Sequence, residues 1–350
     1  MRAAIALAAL VLASGGASVS RAQEAAAVAT TEAIDAQFDA LVAEAALPLA
    51  GVLVFDAQGQ IYQRLTPTLT RTQAVPIASA SKWVAAALIM TAVDRGELTL
   101  ADPVGKWIPE APPSLHPATL RQLLSHTSGM AAGDLSSMGP VNSLEDSVLK
   151  LVARPMARAP GAGFAYGGAS MQVAGLMLER AAKRSYATLF AERLARPLGM
   201  RTAAVGSPPS WGTAKVPWVA GGMAMSLDDY QRFLQMMLRN GEFGGKRILS
   251  AASIAAIETD MVRPIPVASR TGVILDASYG LGVWCGRISP EGRCGLVSSA
   301  GAFGTYPWID RQSGRAGIFL TRAQLRRVTR GAYALRDATN ALPRATQRAQ

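Results

Sequence analysis

The sequence predicts an α+β fold: a mostly antiparallel sheet flanked by N- and C-terminal helices, with a mainly helical lobe inserted between two groups of strands. Strand patterns occur near both ends of the chain, in residues 50–64 and 279–321, and the residues between them are mostly helical in pattern. Consecutive strands are joined by short turns, which favours antiparallel pairing. The simplest closure pairs the N-terminal hairpin with the C-terminal strands.

The N-terminal elements are a helix and a hairpin. Apolar residues recur at helical spacing over 34–45, which predicts an amphipathic helix. Two short strands, 50–55 and 60–64, surround Asp56-Ala-Gln-Gly59, a sequence typical of a hairpin turn. The apolar segment 79–95 is the next predicted helix.

The later elements follow the same reasoning from periodicity and turn residues. Helices are predicted at 120–124, 143–152, 170–183, 186–194 and 227–239, strands at 279–288, 294–298, 305–309 and 316–321, and a last helix from 323 towards 339. We therefore expect one domain over residues 30–340, with a sheet lobe (30–78 plus 270–340), a mainly helical lobe (79–269) and a tail at 341–350.

Composition excludes several classes of protein. Half of the 350 residues are hydrophobic, which excludes disorder for most of the chain. The net charge is +11, but 24 acidic residues are interspersed with 35 basic ones and no nucleic-acid motif is visible, so we predict no nucleic-acid partner. Two histidines and two cysteines are too few, and wrongly spaced, for a zinc or iron–sulfur site; we expect neither a metal nor a cofactor.

Residues 1–22 have the pattern of a signal peptide. Arg2 precedes the apolar stretch 3–13, and Ser20-Arg-Ala22 is an acceptable cleavage site. The stretch is too short to span a bilayer, so we predict a periplasmic or secreted protein without a stable membrane anchor. A membrane-surface role for the basic C-terminal helix remains an alternative.

The two cysteines, Cys285 and Cys294, flank a Ser-Pro-Glu-Gly turn at 289–292. In an oxidising compartment they could form a disulfide across this hairpin. Two buried free thiols are the alternative.

Ser79-Ala-Ser-Lys82 is a candidate nucleophile–base pair. Positions i and i+3 share a helix face, and helical side chains lean towards the N-terminus, so Lys82 can reach Ser79. A lysine in an apolar setting gives up its proton more readily than in water and can act as the base. A capping serine beside a snorkelling lysine is the alternative. A second copy, Ser147-Val-Leu-Lys150, lies in a charged segment, where we expect Lys150 to be solvated.

The surrounding segments resemble the serine β-lactamase and penicillin-binding-protein family, in its class C-like branch of β-lactamases, D,D-peptidases and esterases. The resemblance covers about residues 30–340. The segments that carry it are Ile77–Pro109, Leu120-Arg-Gln-Leu-Leu-Ser-His-Thr-Ser-Gly-Met130, Gly221–Phe233, Gly241–Ser250 and Gly301–Asp310.

The resemblance implies a Tyr-x-Asn element, which reads Tyr166-Gly-Gly168 in this chain. Tyr166 would assist proton transfer, with a core aromatic beside Phe164 as the alternative. Gly168 replaces the asparagine that would contact a substrate amide, which argues against amide and lactam turnover. His126 is expected to be structural, at a helix–loop junction away from the chemistry.

The family's Lys-Thr-Gly or His-x-Gly element reads Ser299-Ala-Gly301. By resemblance, the N–H groups of Ser79 and Ala302 would form the oxyanion hole, and Gly301 would let substrate lie close to the strand. Ser299 replaces a cation that would bind a carboxylate, which favours esters or other uncharged acyl substrates. We expect the substrate to contact Ser299, Gly301 and Gly168.

These observations predict an exported serine hydrolase that forms an acyl-enzyme on a small-molecule acyl substrate. Its catalytic residues would be Ser79, Lys82 and Tyr166, with esterase-like activity favoured. β-Lactamase or D,D-carboxypeptidase activity is the first alternative. A non-catalytic relative that binds cell-wall fragments or a partner is the second.

Overall fold

A computed structural model describes residues 31–132, 139–211, 215–263, 267–269 and 278–342. The predicted signal peptide, residues 1–22, and the tail residues 343–350 lie outside these ranges. The division into a sheet lobe and a helical lobe stays a prediction.

A seven-stranded sheet lies at the centre of the fold, in the order β10-β11-β12-β13-β14-β1-β2 with every neighbouring pair antiparallel. The N-terminal hairpin pairs with the C-terminal strands as predicted, with Ala50 opposite Thr321. The strands of the sheet are β1 Ala50–Phe55, β2 Gln60–Leu65, β10 Ser278–Tyr279, β11 Trp284–Ile288, β12 Cys294–Ser298, β13 Tyr306–Asp310 and β14 Arg315–Thr321.

The predicted strand 279–288 is divided into β10 and β11. Gly282 has a φ of +77°, a left-handed conformation that glycine adopts without a steric cost. A Cβ on Gly280 would lie 2.2 Å from the carbonyl oxygen of Ile257. The two glycines therefore form a turn where periodicity alone indicated one continuous strand.

Most of the helices lie between β2 and β10 along the chain, while one precedes β1 and one follows β14. Residues 31–44 form α1. The other helices are α2 Ser81–Asp94, α3 Val104–Trp107, α4 Leu120–Leu124, α5 Leu144–Val152, α6 Ala169–Ala182, α7 Tyr186–Phe190, α8 Arg196–Leu198, α9 Leu227–Leu238, α10 Ala251–Ile257 and α11 Leu325–Asn340, and a π turn over Ala191–Ala195 joins α7 to α8.

Helices cover both faces of the sheet, so its inner strands are buried on both sides. On one face, Val52 and Val54 of β1 pack in a cluster with Phe38 of α1 and Leu335 of α11. On the other face, Leu53 belongs to the larger core that includes α2 and α9. Successive side chains of β1 thus alternate between two cores.

Three small sheets lie outside the central sheet. Strand β3 (Val75–Pro76) pairs with β6 (Met223–Met225), which also pairs with β5 (Ala204–Val205). The other strands are β4 Phe164–Ala165 with β9 Val267–Ser269, and β7 Glu242–Phe243 with β8 Lys246–Arg247.

Helix α2 is apolar around its whole circumference, because 12 of its 14 residues are buried. Even so, within the described residues no helix is both long enough and apolar enough to cross a membrane.

Candidate active site

Ser79 lies in a single 3₁₀ turn, Ala78–Ala80, before α2 begins at Ser81. The sequence analysis placed it inside the first turn of the helix. Ala78 has a φ of +46°, a left-handed conformation that costs a non-glycine residue about 1–2 kcal/mol. The strained turn leaves Ser79 outside the helix and half-buried, while Ala78 and Ala80 are buried.

Hydrogen bonds from two other elements hold this turn. The Tyr230 hydroxyl on α9 donates to the carbonyl oxygen of Ala80 at 2.9 Å. The Ser299 hydroxyl, after β12, donates to the carbonyl oxygen of Ser79 at 3.1 Å. Burial raises the pKa of Tyr230 well above its ordinary value, so its phenol stays protonated and can donate. Neighbouring structure thus offsets the strain at Ala78.

Lys82 is 3% exposed and its ammonium group faces three partners. Its Nζ lies 3.0 Å from Ser79 Oγ and 3.0 Å from the carbonyl oxygen of Ala220. The same Nζ lies 4.8 Å from the ring centroid of Tyr166, over the electron-rich face. A buried lysine in hydrogen-bond contact with a serine hydroxyl is the geometry that a nucleophile–base pair requires.

Tyr166 follows β4 and is half-buried. Its ring stacks on Trp284 of β11, with centroids 5.0 Å apart and planes 28° apart. Tyr279 of β10 packs edge-on to it at 5.8 Å. Tyr166 is therefore both part of an aromatic cluster and in contact with Lys82. Trp284 and Tyr279 were not predicted as neighbours of the site, because a strand pattern does not show which strand faces Tyr166.

His126 does not lie away from the chemistry, and that expectation was wrong. Its ring centroid is 4.9 Å from that of Tyr166 and 5.0 Å from that of Tyr279. Burial, together with the positive charge of Lys82, lowers the pKa of His126 well below 6.5. The imidazole is neutral at pH 7.

The loop after β12 brings Gly301 beside the turn that contains Ser79, and Ala302 follows Gly301 in the chain. A Cβ on Gly301 would lie 2.1 Å from the carbonyl oxygen of Ile77. Gly301 is buried, and its small size admits this carbonyl; its contact with substrate stays a prediction. Ala302 is exposed, and its N–H donates to no group in the described part of the chain. Its carbonyl accepts from the Leu325 N–H at 2.9 Å, which fixes the orientation of the loop.

Ser299 and Gly168, the two positions at which this chain departs from the family pattern, have different surroundings. Ser299 is 3% exposed, and its hydroxyl is engaged with the Ser79 backbone, which favours a role in holding the nucleophile turn over direct substrate contact. Gly168 is half-buried and precedes α6, where its carbonyl accepts from the Gln172 N–H at 3.1 Å. Neither position offers a side chain that could bind a carboxylate.

Cys285 and Cys294 are bonded to each other, so the alternative of two free thiols was wrong. The bond joins β11 to β12 across the hairpin, with Cα atoms 5.1 Å apart. Over the described ranges, no three His, Cys, Asp or Glu side chains are grouped so as to hold a metal ion.

Comparison with known proteins agrees with this architecture. The model of the β-lactamase family matches residues 34–340. The structure resembles a crystal structure of a putative β-lactamase from Bacteroides dorei, with a TM-score of 0.77 and 32% identity over 84% of this chain and 90% of that one. It also resembles EstCE1, described as a hydrolase with promiscuous acyltransferase activity, with a TM-score of 0.76 and 20% identity over 90% of this chain and the whole of the other. The second likeness shows the fold alone.

A curated relative is esterase EstB of Burkholderia gladioli. It is 31% identical over 196 residues, which are 48% of this chain and 50% of EstB. Because the family model covers nearly all of the described residues and the Bacteroides protein aligns over most of both chains, the assignment does not rest on one motif. This chain belongs to the β-lactamase family.

Proposed function

We propose that the protein is an exported serine hydrolase that cleaves esters through an acyl-enzyme. The observation that carries this proposal is the contact of Lys82 with Ser79. The lysine is 3% exposed, and its Nζ lies 3.0 Å from Ser79 Oγ. A base this close to a half-buried hydroxyl can remove its proton as the oxygen attacks.

The reaction has two halves. In the first, the hydroxyl proton of Ser79 moves to Lys82 Nζ, which must enter this step as the free amine, and Oγ bonds to the carbonyl carbon of the substrate. The N–H groups of Ser79 and Ala302 stabilise the oxyanion. The tetrahedral intermediate then collapses, and the leaving alcohol takes the proton back by way of Lys82 or Tyr166. In the second half, water attacks the acyl-enzyme by the same proton route and releases the acid.

Three features support esters over lactams and peptides. Gly168 has no amide side chain for a peptide-like substrate, and the Ser299 hydroxyl is engaged with Ser79. Phe303, directly after Ala302, is 47% exposed, which offers apolar surface next to the proposed oxyanion hole. EstB, which matches half of this chain, is named an esterase.

Mass spectrometry of the intact protein can test the chemistry. The purified protein is incubated with a fluorophosphonate, with p-nitrophenyl butyrate and with a fluorescent penicillin, beside a Ser79→Ala variant. We expect fluorophosphonate labelling and ester turnover in the wild type alone. Stable penicillin labelling or rapid penicillin turnover, with little ester turnover, would favour a D,D-peptidase or a β-lactamase. No reaction with any reagent would favour a non-catalytic relative.

Export is supported by the leader-like pattern of residues 1–22 and by the disulfide, since such bonds persist in oxidising compartments. Expression with residues 1–22 in a bacterium, followed by fractionation and N-terminal sequencing, tests it. Mature protein that begins near residue 23 outside the cytoplasm is the expected result. Full-length protein in the cytoplasm would contradict export.

A further inference from the structure

His126 combines two properties that its buried position does not by itself require. It is 2% exposed, and neither of its ring nitrogens has a hydrogen-bond partner within the described ranges. Its φ is +57°, in the left-handed region. A buried polar group without partners is costly, and a strained backbone persists only where surrounding structure enforces it. The proposed proton route through Ser79, Lys82 and Tyr166 uses neither property.

The backbone of His126 fixes the strand that leads to Tyr166. Its carbonyl oxygen accepts a hydrogen bond from the Ala165 N–H at 2.9 Å, one residue before Tyr166. The preceding loop is anchored in turn, since the Leu124 carbonyl accepts from the Gly282 N–H at 2.9 Å. The left-handed conformation of His126 thus lies where α4 is joined to both β4 and the turn before β11.

The ring of His126 packs against the ring of Tyr166. The two centroids are 4.9 Å apart, and Trp284 stacks on Tyr166 at 5.0 Å. Lys82 Nζ lies 4.8 Å from the Tyr166 centroid. His126, Trp284 and Lys82 therefore all lie against the Tyr166 ring.

We propose that His126 is a positioning residue, which holds the Tyr166 ring against Lys82 through both its ring and its left-handed backbone. Its kinetic consequence rests on the proposed hydrolase function. Histidine is suited to this position because it tolerates the left-handed region better than most residues and also supplies a planar ring. The ring must be uncharged, since a second cation would face Lys82.

Two variants separate the contributions. His126→Asn keeps a residue that tolerates the left-handed conformation but removes the ring. His126→Phe keeps a ring of similar shape and removes the nitrogens. The matched control is His116→Asn, since His116 is the other histidine and packs on Gly105 at the start of α3. Ester kinetics are measured well below the unfolding midpoint of each variant, with the active fraction counted by fluorophosphonate titration.

We expect His126→Asn to lower kcat by about tenfold or more with KM within about twofold, because a small displacement of a proton-transfer group affects the chemical step. His126→Phe keeps the ring but tolerates the left-handed conformation less well, so its kcat should fall less than that of His126→Asn. His116→Asn should match the wild type. A wild-type kcat in His126→Asn would overturn the proposal, as would equal losses of kcat in the Asn and Phe variants.

A crystal structure of His126→Asn gives a readout that does not depend on activity. We expect the distance from Lys82 Nζ to the Tyr166 centroid to increase from 4.8 Å by at least about 1 Å. An unchanged distance would refute the positioning role even if the wild type hydrolyses no ester. If the Tyr166 ring is displaced in His126→Asn but the wild type hydrolyses no ester, only the proposed function is refuted and the positioning role stands.

Discussion

The two Ser-x-x-Lys segments of this chain have the same spacing and opposite surroundings. In the first, Lys82 is 3% exposed and contacts Ser79 at 3.0 Å. In the second, the Ser147 hydroxyl donates to the Leu144 carbonyl at 2.6 Å, inside α5. The side chain of Lys150 is 42% exposed and pairs with Asp146 at 3.1 Å. The serine and lysine of the second segment are thus engaged separately.

The difference shows that spacing is necessary for the pair but does not create it. In the second segment the serine is part of a regular helix, so its hydroxyl bonds to the carbonyl three residues before it. In the first segment the serine lies in the 3₁₀ turn before the helix. Its lysine is buried in the first turn of a helix whose other buried residues are mostly apolar. The packing around α2, rather than the four residues, directs the lysine to the serine.

We expect the largest effect, a loss of kcat/KM for an ester, when the two lysines are substituted in turn. Lys82→Met should lower kcat/KM for an ester by about 10²–10⁴-fold, the usual contribution of a general base. Lys150→Met should leave it within about twofold, because Lys150 faces solvent. The measurement is initial-rate kinetics with p-nitrophenyl butyrate. Equal effects of the two substitutions would remove the functional distinction between the segments.

Gly301→Ala tests how closely the loop after β12 packs against the turn that contains Ser79. The added Cβ would lie 2.1 Å from the Ile77 carbonyl oxygen, so the backbone beside Ser79 must move. We expect a loss of about 1–3 kcal/mol in the free energy of unfolding, as in other overpacked sites, and most of the ester activity to be lost. The control is Gly286→Ala in β11, where the nearest atoms are 3.6 Å from the Cβ position. An active, stable Gly301→Ala protein would contradict the geometry.

The burial of His126 also predicts a pH dependence of stability. The pKa of His126 is lowered well below 6.5 in the folded protein by burial and by Lys82. As the pH falls below about 6.5, the unfolded chain binds a proton that the folded chain excludes. The free energy of unfolding should therefore decrease, by at most about 1.4 kcal/mol per pH unit, until the pH reaches the folded value.

Urea unfolding at pH 7.5 and pH 5.5 measures this effect. His126→Phe should show a shallower decrease, because it has no group to protonate at that position. A wild type and a Phe variant with the same pH dependence would show that His126 contributes nothing to it.

The smallest expected effect belongs to the second segment. Ser147→Ala removes the hydroxyl that accepts from Gln172 Nε2 at 2.9 Å, while that nitrogen keeps its bond to the Pro217 carbonyl. We expect a loss of about 1 kcal/mol in the free energy of unfolding and unchanged kcat and KM. Urea unfolding and ester kinetics measure the two. A loss of activity would show that this serine takes part in the chemistry.

Most elements of the fold follow from local patterns. Strands β1 and β12 and helix α4 begin and end where periodicity and turn residues predict, and the predicted pairing of the two strand groups is confirmed. The exceptions depend on contacts distant in sequence. The turn between β10 and β11 is one example, because Gly280 approaches Ile257 from a different element.

The site follows a similar division. Spacing and residue type selected Ser79 and Lys82 as candidates, because a nucleophile and a base are chemically distinctive residues. Tyr166 became a candidate through the resemblance to the family. The strain at Ala78 and the contact of Lys82 with the Ala220 carbonyl leave no mark in the sequence. Every residue has a backbone carbonyl, so no residue type in the sequence indicates which carbonyl Lys82 will contact.

The sequence by itself indicated the family, the pairing of the two strand groups and candidate residues for the chemistry, since these depend on side-chain type, motifs and local periodicity. The charged surroundings of Lys150 already distinguished the two Ser-x-x-Lys segments in the sequence, but only the tertiary structure established the contact of Lys82 with Ser79. It also decided that His126 lies against Tyr166, at 4.9 Å between ring centroids. Burial and contacts between distant segments arise only when the chain packs, and they decide whether a lysine meets a hydroxyl or water.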